Sequence, residues 1–158
     1  MRKIKNPYSK IEGYNCFGCS PNNESGLRMQ FYEVDDFICC DWNPRDAFQG
    51  YKNVLHGGIQ VTLMDEIASW VVQVKLKTAG VTSKIDAKFI KPLLVDVNKV
   101  HLKAKLNEMR RNIAIIDVWL FNENGELCSQ ATASYFTVRE EMAREKFFYP
   151  GVDAFFAK

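Results

Sequence analysis

Two adjacent acidic residues interrupt an otherwise apolar stretch and are the first candidates for chemistry. Asp65 and Glu66 lie in the segment 58–76, which contains no proline and whose apolar residues would surround a helix on most sides. Helical spacing places Glu66 on a stripe of polar residues, which would face solvent or a polar interface. Asp65 falls on a stripe of small and apolar residues, where an unpaired charge is costly. Asp65 is therefore either a reactive carboxylate or a structural aspartate capped by backbone or lysine.

A histidine and two glycines stand where the chain would enter this helix. His56, Gly57 and Gly58 follow Leu55 directly. Glycines at a helix N-terminus let a ligand approach unshielded backbone N–H groups, and the helix dipole attracts negative charge to that end. A developing oxyanion fits such a place. A structural role is also open for each of the three residues, and their combination with Asp65 favours a catalytic one.

The rest of the chain predicts strands, so the fold class is α+β. The only long helix is the segment 58–76, and NENG at 122–125 predicts a turn. Antiparallel strands would form a sheet with the helix against one face. The predicted strands are 27–33, 37–42, 82–90, 97–107, 112–121 and 126–138. Residues 1–158 are predicted to form one domain with its core at about 14–138 and a C-terminal extension at 139–158 that starts as a short helix.

The string HGGIQVTLMDE, preceded by FQGYKNVL, resembles the signature of hotdog-fold acyl-CoA thioesterases, in the PaaI-like branch of phenylacetate degradation. The similarity is broad and covers about residues 14–138. It implies a long helix wrapped by a curved antiparallel sheet of about six strands, assembled as a homodimer or homotetramer. The implied activity is hydrolysis of the thioester bond of an acyl-CoA, with no metal and no cofactor.

The resemblance also implies roles for five residues. Gly57 would supply the backbone N–H that polarises the thioester carbonyl. Asp65 would be the catalytic carboxylate, acting either as nucleophile or as general base on water. His56 would orient the neighbouring loop and the substrate, and Thr82 would help to hold the attacking water. Gln49 corresponds to an upstream Asn or Gln that contacts the thioester region, although it is seven residues before His56, where some relatives have six.

Four further residues are candidates for substrate binding. Gly58 and Glu66 belong to the helix that carries the catalytic candidates. Arg110 and Arg111 would meet the phosphates of coenzyme A, unless this pair is ordinary solvated surface.

Helix geometry alone predicts that the site is shared between subunits. Gly57 and Asp65 are eight residues apart, which is about 12 Å along a helix axis. A donor must lie about 3 Å from the carbonyl oxygen and the attacking group about 3 Å from its carbon. If both residues are catalytic, they therefore come from different chains.

Composition and cysteine count exclude other classes of function. The net charge is +2 with both signs scattered, which argues against nucleic-acid binding, and no apolar run is long enough to span a membrane. We expect a cytoplasmic protein. The odd number of cysteines, five, favours reduced thiols. Cys16 and Cys19 form a CxxC, but no second pair of cysteines is suitably placed, so we expect no zinc.

Two other functions stay open at this stage. One is a hotdog dehydratase or hydratase acting on 3-hydroxyacyl thioesters, whose sites pair a catalytic histidine with a carboxylate in a different motif. The other is a non-catalytic acyl-CoA-binding or regulatory domain, which loss of the carboxylate would have favoured. Asp65 is present.

Overall fold

The computed structural model describes residues 1–156, in which one long helix packs against one face of a seven-stranded antiparallel sheet. The two helices and seven strands are, in chain order, β1 Arg2–Lys3, β2 Tyr32–Val34, β3 Phe37–Trp42, α1 Gly57–Lys75, β4 Gly80–Phe89, β5 Val100–Arg110, β6 Ile113–Phe121, β7 Leu127–Thr137 and α2 Glu140–Phe147. The predicted α+β class and hotdog arrangement are confirmed, with seven strands where about six were expected.

The strand order places the first strand after α1 at the far edge of the sheet. The order is β1-β2-β3-β5-β6-β7-β4, so β4 pairs only with β7 within the described residues. Thr82 on β4 pairs with Tyr135 on β7, which pairs in turn with Ala114 on β6. One edge of the ten-residue β4 therefore presents unpaired backbone groups.

Helix α1 forms where the sequence predicted it, shifted by one residue at each end. Its buried side chains include Leu63, Ile67 and Val71, which are fully enclosed between the helix and the sheet. No proline interrupts its hydrogen bonds, and the apolar residues that surround it give it contacts with β3, β4, β5, β6 and β7. Burial of these side chains, rather than helix propensity, fixes the orientation of every residue on α1.

The predicted strand at 27–33 is wrong over most of its length. Only Tyr32–Val34 pairs as a strand. The N–H groups of Leu27 and Met29 instead donate to the carbonyls of Phe17 and Gly18, at 2.7 and 2.9 Å. Arg28 has a left-handed φ of 52°, which a regular strand does not allow. Buried and exposed side chains alternate here as they do in a strand, which is why the sequence predicted one. The backbone, however, bonds to the loop at Phe17 and Gly18.

The aromatic C-terminal segment belongs to the same core. Phe155 is fully buried, with its ring 5.5 Å from that of Trp70 on α1 and 6.0 Å from that of Tyr8. Its carbonyl accepts a 2.8 Å hydrogen bond from the N–H of Lys5. The two ends of the described chain are therefore joined over the C-terminal half of α1. No helix among residues 1–156 is both long and apolar enough to cross a membrane.

Candidate active site

The carboxylate of Asp65 is held by two hydroxyl groups from the sheet. Thr82 Oγ1 donates to Asp65 Oδ1 at 2.9 Å, and the Tyr135 hydroxyl lies 2.5 Å from the same oxygen. The Tyr135 hydroxyl is also 2.7 Å from the main-chain carbonyl oxygen of Asp65. Among residues 1–156, no group donates a hydrogen bond to Oδ2. One carboxylate oxygen is therefore fixed in place, and the other is available to a water molecule or a substrate.

Strand register explains why these three side chains meet. Thr82 and Tyr135 are directly paired across β4 and β7, and both point toward α1. Tyr135 is only 2% exposed. Burial, and then the charge of Asp65, raise the pKa of Tyr135 above its ordinary value. Its hydroxyl therefore stays protonated and acts as a hydrogen-bond donor to Asp65.

Sequence reasoning placed Thr82 near Asp65 only through the family resemblance, and it missed Tyr135 entirely. A tyrosine among alternating strand residues is typical of an ordinary core position. The signal that would have found Tyr135 is its register opposite Thr82, and that register depends on a β-bulge between Thr82 and Lys84.

The first backbone N–H of α1, that of Gly57, has no acceptor within the described chain. The Nδ1 atom of His56 caps the helix by accepting from the Gly58 N–H at 2.9 Å, so the ring proton of the unprotonated imidazole is on Nε2. Within the described chain, the Gly57 N–H donates to no group. The Phe89 ring lies 3.6 Å from the position that a Cβ on Gly57 would occupy. The Gly57 N–H is therefore available to the carbonyl oxygen of a substrate, which would lie beside the Phe89 ring.

Gln49 lies next to this helix end, but its side chain bonds to its own loop. Its Oε1 accepts from the Asn53 N–H at 2.7 Å, and its Nε2 donates to Asp46 Oδ1 at 2.9 Å. Gln49 also lines a surface recess of about 330 Å³ together with His56 and Gly58. In this chain Gln49 thus fixes the shape of the loop that borders His56.

Arg110 ends β5 and Arg111 lies in the turn to β6, and the hydrogen bonds of Asp65, Thr82 and Tyr135 within the described chain involve neither arginine. The exposed Arg110 guanidinium pairs with Glu108 at 2.7 Å, and Arg111 has a left-handed φ of 55°. Ile113, the first residue of β6, pairs with Phe136 on β7, which pairs with Val81 on β4. The turn therefore lies at the same end of the sheet as Thr82. The exposed Arg111 side chain is open to a ligand that extends over this end of the sheet, whereas Arg110 would first have to release Glu108.

Glu66 faces a different part of the molecule from Asp65. Its carboxylate accepts from Trp70 Nε1 at 3.1 Å and lies 3.6 Å from Cys16 Sγ. The predicted polar stripe therefore meets a polar interface at Glu66, formed by a loop that passes over the helix. Burial, and then the negative charge of the Cys16 thiolate, raise the pKa of Glu66 to about 7. Glu66 takes no part in the group formed by Asp65, Thr82 and Tyr135.

The candidate site thus consists of two parts at different points along α1. His56, Gly57 and Gly58 form the first part, and Asp65 with its two hydroxyl donors forms the second. Eight residues of helix separate Gly57 from Asp65, or about 12 Å.

Comparison with known proteins supports a thioesterase-type fold. Residues 52–129, just under half of the chain, match the family model described as thioesterase superfamily. This match includes α1, Asp65 and Thr82. No curated protein sequence is significantly similar to the chain.

Solved structures of similar fold include several described as thioesterases. Thioesterase HI1161 from Haemophilus influenzae superposes with a TM-score of 0.66 at 22% identity, covering 77% of this chain and 85% of that one. A hypothetical thioesterase from Streptococcus pneumoniae TIGR4, solved with coenzyme A, gives 0.65 at 23% identity, covering 71% and 90%. The thioesterase superfamily protein RHA08564 gives 0.68 at 17% identity, covering 74% of this chain, which spans only 57% of that one. At these identities the likeness establishes the fold.

Proposed function

We propose that the protein hydrolyses the thioester bond of an acyl-CoA, giving the free acid and coenzyme A, and that it belongs to the PaaI-like branch of the hotdog thioesterases. The observation that carries this proposal is the environment of Asp65. Two hydroxyl donors orient one carboxylate oxygen and leave the other free. A positioned carboxylate with one free oxygen is suited to general base or nucleophilic catalysis.

The Gly57 N–H supplies the second requirement of acyl transfer. As the thioester carbon becomes tetrahedral, negative charge develops on its oxygen, and an unpaired N–H at a helix N-terminus stabilises that charge. His56 supports this role because it occupies the neighbouring Gly58 N–H and leaves its own Nε2–H to contact the substrate. Asp65 then acts by one of two routes. As a general base it removes a proton from the water that attacks the thioester carbon, and the C–S bond breaks to release coenzyme A. As a nucleophile it attacks that carbon itself, expelling the coenzyme A thiolate and forming a mixed anhydride, which water hydrolyses to the free acid. No metal or cofactor is required for either route.

The two parts of the site act together only in an oligomer. Since Gly57 and Asp65 of one helix are too far apart to reach one carbonyl, each site combines Gly57 of one subunit with Asp65 of its partner. The unpaired edge of β4 supports a homodimer, because its free backbone N–H and C=O groups could hydrogen-bond to a strand of a second copy. Val81, Phe89 and Ile90 also expose apolar side chains on or beside this strand. Pairing of such dimers would give a homotetramer.

The coenzyme A part of the substrate is assigned to the positively charged turn at Arg110 and Arg111. Guanidinium groups bind phosphates through charge-assisted hydrogen bonds. The Streptococcus pneumoniae structure with coenzyme A is consistent with a ligand of this kind on the fold.

The test is a screen of short, long and aromatic acyl-CoAs, with chromatographic detection of the free acid and of coenzyme A. We expect equal amounts of both products from at least one class of substrate. Binding of acyl-CoAs without release of acid would support a non-catalytic domain instead. Reversible hydration of an enoyl-CoA with the thioester intact would indicate a hydratase. Either result would refute the hydrolase proposal.

A further inference from the structure

A second cluster of reactive side chains lies apart from the groups around Asp65. Cys16, Cys19 and Glu66 each offer one atom that ligates metals, and these three atoms all lie within 4.8 Å of one another. The two cysteines come from the loop that precedes β2, and Glu66 comes from the middle of α1. The contact joins residues 50 positions apart in the sequence.

The separations within this cluster match those around a tetrahedral zinc ion. With Zn–S of about 2.3 Å and Zn–O of about 2.0 Å, tetrahedral angles place two sulfurs about 3.8 Å apart and a sulfur and an oxygen about 3.5 Å apart. The observed Cys16 Sγ to Cys19 Sγ distance is 3.4 Å, and Cys16 Sγ lies 3.6 and 3.7 Å from the two oxygens of Glu66. These distances lie within a few tenths of an ångström of the ideal values, and the remaining separation, from Cys19 Sγ to a Glu66 oxygen, is within 4.8 Å.

No positive charge compensates these three groups within residues 1–156. Glu66 has no lysine, arginine or histidine nitrogen within 4.0 Å, and the donor that reaches it from α1 is the Trp70 indole N–H. Glu66 is half-buried, and a carboxylate that loses part of its solvation is stabilised by a cation or by a set of hydrogen-bond donors. Two thiols beside it make the local charge more negative when they ionise. A divalent cation would supply the missing charge.

The loop is shaped for close approach to Glu66. A Cβ on Gly18 would lie 2.5 Å from the Glu66 carboxyl group, so this position accepts only glycine without a shift. The Tyr14 hydroxyl lies 3.0 Å from Cys19 Sγ, and Cys19 Sγ lies 3.4 Å from Cys16 Sγ. Hydrogen bonds of this kind to coordinating sulfurs orient the ligands of metal sites.

We propose that Cys16, Cys19 and Glu66 bind one zinc ion, with water as the fourth ligand. The ion ties the loop to α1 beside the residue that carries the candidate catalytic carboxylate, and it stabilises the fold rather than taking part in thioester hydrolysis. The sequence analysis expected no zinc because it sought the missing ligands among the cysteines. Spacing along the chain gave no indication that Glu66 is the third.

The test is the metal content of the full-length reduced protein, with any affinity tag removed. The protein is loaded with Zn²⁺, passed through a desalting column and assayed by elemental analysis. We expect about one zinc per chain. Glu66→Gln and the paired Cys16→Ser, Cys19→Ser changes should each weaken zinc binding by more than the roughly 10- to 100-fold that loss of an outer-shell partner costs.

Asp65→Asn is the matched control, since it makes the same carboxylate-to-amide change one residue away, and Cys39→Ser is the control for loss of a thiol. Both should keep their zinc.

Co²⁺ loading of the unaltered protein tests the ligands even if the paired cysteine variant does not fold. Two thiolate ligands give a sulfur-to-cobalt charge-transfer band in the near ultraviolet. Absence of stoichiometric zinc and of this band in fully reduced protein would overturn the proposal, as would full zinc retention in Glu66→Gln. None of these readouts depends on thioesterase activity.

Discussion

Removal of the Tyr135 hydroxyl tests whether the environment of Asp65 is catalytic. Tyr135→Phe deletes the donor at 2.5 Å from the carboxylate and leaves Thr82 as the other one. A hydrogen bond to a charged group contributes about 1.5–3 kcal/mol, which corresponds to roughly 10- to 150-fold in rate if the bond positions the reacting oxygen. We expect kcat for acyl-CoA hydrolysis to fall within that range while KM changes little, because Tyr135 is a positioning residue.

Tyr149→Phe is a matched control for this change. Tyr149 is equally buried at 2%, and its hydroxyl donates to a carbonyl of the same helix, that of Gln73, at 2.9 Å. In urea titrations Tyr149→Phe should lose about 0.5–1.5 kcal/mol of unfolding free energy, and Tyr135→Phe about 1.5–3 kcal/mol because its acceptor is charged. Only Tyr135→Phe should lose kcat in steady-state assays. Equal kcat losses in the two variants, or an unchanged kcat in Tyr135→Phe, would refute the argument from the Asp65 hydrogen bonds.

Other substitutions separate the remaining groups. Asp65→Asn should reduce kcat by on the order of 10² or more with folding retained by circular dichroism, whereas Glu66→Gln should reduce it much less because Glu66 faces the cysteine loop. A dead Glu66→Gln together with an active Asp65→Asn would contradict this assignment. Arg110→Ala combined with Arg111→Ala should raise KM for coenzyme A esters with little effect on kcat, and a KM equal to that of the unaltered protein would remove this turn from the substrate site.

The central helix could be predicted from the sequence because its signal is local. An apolar segment without proline needs no distant partner to be identified, and α1 begins and ends within one residue of the prediction. The alternation at 27–31 was equally clear and misleading. An alternating pattern indicates which side chains are buried, but not which backbone segment they pair with. In this case the partner is a loop, which sequence patterns do not identify.

The chemistry of the site was less predictable, because it depends on contacts between distant residues. Tyr135 and Glu66 reach their partners through sheet register and loop path, at separations of 70 and 50 residues. Gln49 illustrates the opposite case. Its position beside His56 follows from the chain order, but the direction of its side chain is set by bonds to Asp46 and Asn53 in the loop.

Subunit complementation tests the shared catalytic site most directly. A Gly57→Pro chain lacks the donor N–H, and proline is tolerated at this first helical position. An Asp65→Asn chain lacks the carboxylate, so each variant should be inactive alone. When subunits exchange, a mixed dimer contains one site with both defects and one intact site. It should therefore recover about half of the activity of an unaltered dimer.

The measurement is acyl-CoA hydrolysis after subunit exchange, with the fraction of mixed dimers determined by native mass spectrometry. At equal mixing about half of the dimers are mixed, so the account predicts about a quarter of the unaltered activity in the mixture. Verified mixed dimers of folded chains with no activity above that of either variant would contradict a site built from Gly57 of one subunit and Asp65 of the other.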